Sequence, residues 1–143
     1  GYNVGYYWAH WLEMGKILGD KAPKIFNVNW FKQDENGNFI WPGFGDNMRV
    51  LDWIIKRCEG KVDAVETPIG FLPKKGDINL KGIEDEVTSE VEDKLLAVDI
   101  DLWKKEIAEM RRYYNDDIKA KGGNIPQALY DELDKIEARL NKA

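Results

Sequence analysis

The chain has few of the side chains that most enzymes use as nucleophiles or bases. Its 143 residues include one histidine, one cysteine and one serine, which are His10, Cys58 and Ser89. A Ser/His/Asp or Cys/His mechanism would need His10 beside one of the other two. Cys58 lies on the apolar stripe of a predicted helix, which indicates a buried structural thiol. One histidine and one cysteine also fall short of a zinc ligand set, so we predict no catalytic residue and no metal ligand here.

Long apolar runs, cysteine pairs and excess positive charge are missing as well. No segment approaches the ~18 consecutive apolar residues of a membrane-spanning helix, so we predict no membrane association. A single cysteine excludes an internal disulfide and is typical of a reducing compartment, which favours the cytoplasm. The net charge of -5 lacks the basic footprint of nucleic-acid binders, so nucleic acid is not an expected partner.

Aromatic residues are concentrated in the first half of the chain. Thirteen of the 17 lie within residues 1–72, whereas residues 73–143 are rich in Lys, Arg, Asp and Glu. The first part is nearly neutral and the second is charged and helix-forming. We therefore divide the chain into an aromatic-rich part, 1–72, and a charged helical part, 73–143, and expect any binding chemistry in the first.

Apolar residues recur at helical spacing in four segments. Helices are predicted over 4–18 and 47–58, the second capped by Asp46 or Asn47. In the charged part, one helix passes through Trp103 and Tyr114, and another begins near Pro126. The acidic stretch 84–93 is interpreted as a solvated face. The expected buried stripes are Val50, Leu51, Ile54, Ile55 and Cys58 in the second helix, and Leu129, Leu133, Ile136 and Leu140 in the last.

Alternating apolar residues predict a small amount of β-structure. Positions 26, 28 and 30 are apolar, which favours a half-buried strand over 24–30. Asn36 and Gly37 are typical of a tight hairpin turn, and residues 39–41 then form the returning strand. The predicted fold class is α+β, mainly helical, with one hairpin or small sheet over residues 24–41.

Three phenylalanines and an amide cluster around this predicted hairpin. Phe31 and Phe39 lie on it, and Phe44 and Asn47 follow in the next loop. Flanking aromatic rings can stack on a base, and an amide can hydrogen-bond to its edge. On spacing alone, however, aromatic residues on a hairpin are more often part of a core.

Specific motifs in this region resemble GTP-dependent phosphoenolpyruvate carboxykinase. They are Val-Asn-Trp-Phe at 28–31 and Trp-Pro-Gly-Phe-Gly-Asp-Asn at 41–47, with further similar segments at 67–70 and 79–82. The resemblance is densest over 1–82 and looser over 83–143. It implies an enzyme that interconverts oxaloacetate and phosphoenolpyruvate with GTP and a divalent metal, commonly manganese. It also implies that Phe31, Phe39 and Phe44 sandwich the guanine and that Asn47 reads its edge.

The resemblance further implies that residues 1–143 are the C-terminal, guanine-binding part of a larger α/β nucleotide-binding lobe. The family's phosphate loop, metal ligands and mobile lid then belong to a preceding part of the parent chain. The expected partners are the rest of that chain and a guanine nucleotide, in a monomeric protein, and the isolated chain is expected to be inactive. The alternative is a non-catalytic helical interaction module whose partner surface is the seam from Leu129 to Leu140.

Overall fold

Helices make up most of the computed structural model, which describes residues 2–143. The predicted class, mainly helical α+β, is confirmed. In the described residues no helix has both the length and the apolar character needed to cross a membrane. The elements in chain order are α1 (Val4–Leu18), α2 (Asn47–Cys58), β1 (Val65–Thr67), β2 (Gly70–Leu72), α3 (Ser89–Leu96), α4 (Ile100–Arg112) and α5 (Gln127–Leu140).

The described residues divide into two units. The first comprises the residues up to Pro23 together with Asp99–Ala143, and so contains α1, α4 and α5. The second comprises Lys24–Val98, which contains α2, α3 and both strands. The first unit is thus built from the two ends of the chain, and the second from its middle.

The first unit is centred on the packing of α4 and α5. Asp99 caps α4 by accepting a hydrogen bond from the Leu102 backbone N–H at 2.9 Å, which satisfies one of the helix's free donors. Ile107 of α4 is almost fully buried, as are Leu133 and Leu140 of α5. The two predicted helices are therefore confirmed. Of the predicted seam of α5, Leu133 and Leu140 are buried inside this unit, and Leu129 and Ile136 are half-buried.

Helix α1 begins on the loop before α5. Asn3 caps it, with Oδ1 accepting from the Gly5 N–H at 3.0 Å and Nδ2 donating to the Gly122 carbonyl at 3.3 Å. Gly5 is buried directly against the Asn124 backbone. The predicted bounds of α1 are confirmed, but most of its large apolar side chains stay exposed, among them Tyr6, Tyr7, Trp11, Leu12, Ile17 and Leu18.

The second unit has its own apolar core. Trp41, Ile83 and Val87 are buried at its centre. Helix α3 was not predicted from the sequence; Thr88 caps it, and its Glu92 is buried and accepts from the Gly76 N–H at 2.7 Å. The acidic stretch is therefore not a uniformly solvated face. Around the core pack Trp30, Val50, Ile78, Leu80, Val91 and Leu95.

The small sheet lies elsewhere than predicted. Val65–Thr67 pairs antiparallel with Gly70–Leu72, whereas residues 24–30 form no strand. Phe26, Val28 and Trp30 do alternate with exposed neighbours. No other segment among residues 2–143 pairs with them, however, and a strand needs a neighbouring backbone. The expected hairpin is reduced to a turn closed by one bridge, between Gln33 and Phe39.

Helix α2 has the predicted bounds, but a different buried face. Trp53 is 4% exposed, whereas Leu51, Ile55 and Cys58 are exposed. Val50 of the predicted stripe does pack against the core, and Ile54 is half-buried. The prediction of a buried Cys58 thiol was wrong, because the buried face of the helix is centred on Trp53 and leaves its last residue exposed. Asp46 makes no capping bond; its carboxylate instead accepts from Arg49 Nε at 2.7 Å.

We expect Gly5→Ala to destabilise the first unit. An added Cβ would collide with the Asn124 carbonyl, so α1 or the loop must shift. Overpacking of this kind typically costs roughly 1–3 kcal/mol. Urea unfolding of the chain measures the change in free energy.

The matched control is Gly15→Ala on the same helix. A Cβ at residue 15 meets no atom of the described part of the chain within 4 Å. Alanine in a helix interior is favoured over glycine by roughly 0.5–1 kcal/mol. Equal unfolding free energies for the two variants would contradict the described contact of Gly5 with the loop.

Candidate functional site

An open cavity of about 730 Å³ lies in the second unit. Its volume falls within the range of sites that hold small organic ligands, roughly 300–1,000 Å³. The four predicted site residues, Phe31, Phe39, Phe44 and Asn47, all line it. The tertiary structure therefore brings together side chains that come from a turn, a loop and a helix start. The remaining lining residues are Trp30, Gly37, Asn38, Trp41, Pro42, Gly43 and Glu86.

The three phenylalanines are exposed at this cavity and do not belong to the core. Phe31 is 69% exposed, Phe39 60% and Phe44 97%. The rings of Phe31 and Phe39 meet edge to face, with centroids 5.7 Å apart. The core interpretation that spacing alone favours is thus wrong for these residues. Clustered exposed aromatic rings are typical of binding surfaces, because each ring keeps an apolar face open to a ligand.

The turn that carries Phe39 is organised by Asp34. Its Oδ1 accepts from the Asn36 N–H at 2.9 Å and from the Asn38 N–H at 2.8 Å. These bonds, above all the one from Asn38, hold the pKa of the Asp34 carboxyl below its ordinary value. Gly37 provides the positive φ, 82°, at which the chain reverses. A carboxylate inside the turn therefore replaces the tight Asn-Gly hairpin that the sequence predicts.

The same loop is attached to α3 by Lys32. Its Nζ donates to the carbonyls of Leu95 and Ala97 at 3.2 and 3.3 Å. Carbonyls at the end of a helix lack partners within the helix and attract a cation. This attachment holds the segment between Phe31 and Phe39 against the rest of the second unit.

Asn47 is the first residue of α2 and a polar member of the cavity wall. Its Oδ1 accepts a hydrogen bond from Trp41 Nε1 at 2.9 Å. Trp41 is 7% exposed, so the donor that holds the Asn47 amide belongs to a buried core residue. The expectation that Asn47 caps the helix is not met, since its side chain bonds to the indole.

Glu86 is a cavity residue that the sequence analysis missed. It lies in the segment before α3, 39 residues beyond the end of the motif at 41–47, and it lines the cavity beside Phe39 and Trp41. Nothing in the sequence distinguishes Glu86 from its neighbours, because it lies within a run of acidic residues. Its position depends on the fold that brings the start of α3 to the turn.

The resemblance implies that the metal ligands belong to a preceding part of the parent chain, and the described residues offer no ligand set of their own. Among residues 2–143, no three His, Cys, Asp or Glu side chains come together as a possible ligand set. His10 lies exposed on α1. No step of any reaction is therefore assigned to a metal on this chain.

Comparison with known proteins agrees with the motifs. Residues 1–139 match the family model described as the phosphoenolpyruvate carboxykinase C-terminal P-loop domain. This chain belongs to the GTP-dependent phosphoenolpyruvate carboxykinase family. The match covers almost the whole chain, including the charged part in which the motifs are loose.

Individual relatives in the family share close to half of the residues. The phosphoenolpyruvate carboxykinase (GTP) of Treponema pallidum (strain Nichols) is 46% identical over 142 residues, which are 99% of this chain and 22% of the relative. The Chlamydia abortus enzyme is 46% identical over 98% of this chain and 22% of its own. The human protein, named as mitochondrial, is 42% identical over 99% and 21%. The chain thus spans about a fifth of the length of these relatives.

The Asp34 turn is expected to loosen in acid. A carboxyl whose pKa is lowered by folding contributes stability above the unfolded pKa, near 3.8, and loses it as pH falls through the folded value. The amide signals of Asn36 and Asn38 should therefore shift below pH 4, with a midpoint under 3.8, in an NMR titration.

Asp34→Asn is the control for this titration. It keeps an oxygen acceptor for the two amides but removes the ionisable group, so the acid shift at Asn38 should disappear. A midpoint at or above 3.8 in the unsubstituted protein would show that the turn does not stabilise the ionised carboxylate.

Proposed function

We propose that this chain is the guanine-binding part of the nucleotide-binding lobe of a longer GTP-dependent phosphoenolpyruvate carboxykinase. The enzyme would convert oxaloacetate and GTP into phosphoenolpyruvate, GDP and CO₂. The observation that carries the proposal is the convergence of Phe31, Phe39, Phe44 and Asn47 on one open cavity. Family membership supports the activity of the whole enzyme, and the exposed rings support the assignment of the base site.

The rings suit a purine because their faces are accessible and apolar. Phe31 and Phe39 come from the two sides of the turn, and Phe44 comes from the following loop. Stacking of a base on an aromatic side chain contributes about 1–3 kcal/mol and tolerates any base. The phenylalanines would thus provide affinity, whereas Asn47 provides hydrogen bonding that depends on the base.

The phosphates and the metal would be held by the rest of the parent chain. The sequence has no Gly-Lys-Ser/Thr phosphate-loop motif, and the described residues offer no metal ligand set. The exposed apolar side chains of α1 support this view, because a surface of this kind is normally covered by protein. We propose that the missing four-fifths of the enzyme covers them and supplies the reacting groups.

The alternative, a helical interaction module, has less support. Its partner surface would be the seam of α5, but Leu133 and Leu140 are buried within the first unit. It also leaves the exposed rings at the cavity without a role. The cytoplasmic location stays a prediction, since relatives named as mitochondrial are in the same family. The monomeric state stays a prediction as well.

The isolated chain should show no carboxykinase activity and only weak nucleotide binding. Two stacking contacts give roughly 2–6 kcal/mol, and ordering the site and the ligand offsets most of it. We expect a dissociation constant for GTP on the order of 1 mM or poorer, measured by the fluorescence of Trp30 and Trp41 at the cavity.

Activity is measured as phosphoenolpyruvate formation from oxaloacetate with GTP and manganese, and it should stay at background. Micromolar affinity for GTP, or turnover by a purified sample, would mean that this chain contains a phosphate or catalytic site of its own.

Phe44→Ala should weaken nucleotide binding in a full-length carboxykinase that carries residues 1–143 as its C-terminal part. Phe44 is 97% exposed, so its loss should leave folding unchanged. Removal of one stacking contact should raise the KM for GTP and for inosine triphosphate by about 5- to 150-fold alike.

Phe71→Ala is the matched control. Phe71 is also exposed, at 63%, but lies on β2 and does not line the cavity. Its KM values should equal those of the unsubstituted enzyme. The proposed base site fails if the two phenylalanine variants behave identically.

A further inference from the structure

The hydrogen bond between Trp41 and Asn47 determines which end of the amide is available to a ligand. Trp41 Nε1 lies 2.9 Å from Asn47 Oδ1. An indole N–H can only donate, whereas an asparagine amide has an accepting oxygen at one end and a donating NH₂ at the other. A reversed amide would set two donors against each other. The oxygen must therefore face Trp41, and the NH₂ group is the end left for a ligand.

The donor of this hydrogen bond is buried in the core. Trp41 is one of the three buried residues at the centre of the second unit, where it packs with Ile83 and Val87. Asn47 is itself held in place as the first residue of α2. Within the described residues, Asn47 Nδ2 makes no hydrogen bond of its own, although the residue lines the cavity.

A second tryptophan shows that this bond is not an inevitable result of burial. Trp53, on α2, is 4% exposed, and its Nε1 has no hydrogen-bond partner among the described residues. The two indoles lie in the same unit and are similarly buried, yet only Trp41 of this pair is bonded to a cavity side chain. Burial of an indole in this unit therefore does not by itself produce a hydrogen bond, and the bond of Trp41 depends on Asn47 lying beside it.

We propose that Trp41 is a positioning residue for base selection, which holds Asn47 so that it presents a hydrogen-bond donor to the bound purine. This rests on the proposed function. A donor at this place matches the 6-oxo group of guanine or hypoxanthine, which accepts. It opposes the 6-amino group of adenine, which donates. The site would thus select purines by the group at position 6.

The first test compares GTP, inosine triphosphate and ATP as substrates of the full-length carboxykinase that carries residues 1–143. Trp41→Phe keeps an aromatic ring and removes the indole N–H. Without Trp41 Nε1 the Asn47 amide is no longer oriented, which weakens its one neutral hydrogen bond to the purine. The GTP-over-ATP ratio of kcat/KM should therefore fall by about 2- to 12-fold. The ratio for inosine triphosphate over ATP should fall equally.

Trp53→Phe is the matched control. It makes the same truncation of a buried indole in the same unit, but it breaks no hydrogen bond. Both variants are expected to lose thermal stability, and both melting temperatures are measured. The Trp53 variant should nevertheless keep the unsubstituted GTP-over-ATP ratio.

A double substitution tests whether Trp41 acts through Asn47. Asn47→Ala should itself lower the GTP-over-ATP ratio, and adding Trp41→Phe should then lower it no further. A merely structural role for Trp41 would instead reduce the ratio by the same factor in both backgrounds, or not change it in either.

Asn47→Asp tests the orientation of the amide without altering Trp41. Aspartate keeps an acceptor for the indole but presents a second acceptor in place of the NH₂ donor. The GTP-over-ATP ratio should fall below that of Asn47→Ala. If the oxygen of Asn47 instead faced the purine ring N–H, Asn47→Asp would retain the preference for GTP.

The outcomes separate the two proposals. If Asn47→Ala lowers the ratio but Trp41→Phe behaves like Trp53→Phe, the role of Trp41 is wrong and the guanine site stands. Retention of the GTP preference by Asn47→Asp would likewise overturn the orientation alone. If Phe44→Ala and Asn47→Ala both leave the KM for GTP and the ratio unchanged, the proposed guanine site itself fails.

Discussion

The candidate site depends on the burial of one indole ring, that of Trp41. Its apolar face joins the core of the second unit with Ile83 and Val87, and its N–H reaches Asn47 at the cavity wall. A buried indole N–H usually finds a hydrogen-bond partner, because an unpaired buried donor costs free energy. Here the partner is a side chain of the cavity, so the packing of the core and the geometry of the site are linked by a single residue.

Polar contacts shape the rest of the cavity where regular structure is missing. The turn between Phe31 and Phe39 has one β-bridge, and it relies on the carboxylate of Asp34 and the ammonium of Lys32. A fully paired hairpin would send alternate side chains to a sheet face and bury them. The irregular loop leaves the phenylalanine rings exposed, which is what a stacking site requires.

Most helices could be predicted because their signals are local. The apolar periodicity of α1, α2, α4 and α5 falls within single segments, and a helix satisfies its backbone hydrogen bonds within itself. α3 was missed because its acidic sequence hid a cap at Thr88 and the burial of Glu92, which depends on the distant backbone of Gly76. The strand predicted over 24–30 does not form, although its side chains do alternate between half-buried and exposed. A local pattern can predict this alternation, but it cannot show whether a second segment is available for pairing.

The sequence by itself determined the family and pointed to the residues of the candidate site, since the motifs at 28–31 and 41–47 are contiguous and specific. It also determined which segments are helical. Only the tertiary structure decided that Trp41 is buried while Phe31 and Phe44 are exposed, that Cys58 is exposed, and that Glu86 reaches the cavity. The reason is physical: burial is favourable for aromatic side chains at any position in the sequence. Which of them reaches the core depends on contacts between segments far apart in the chain.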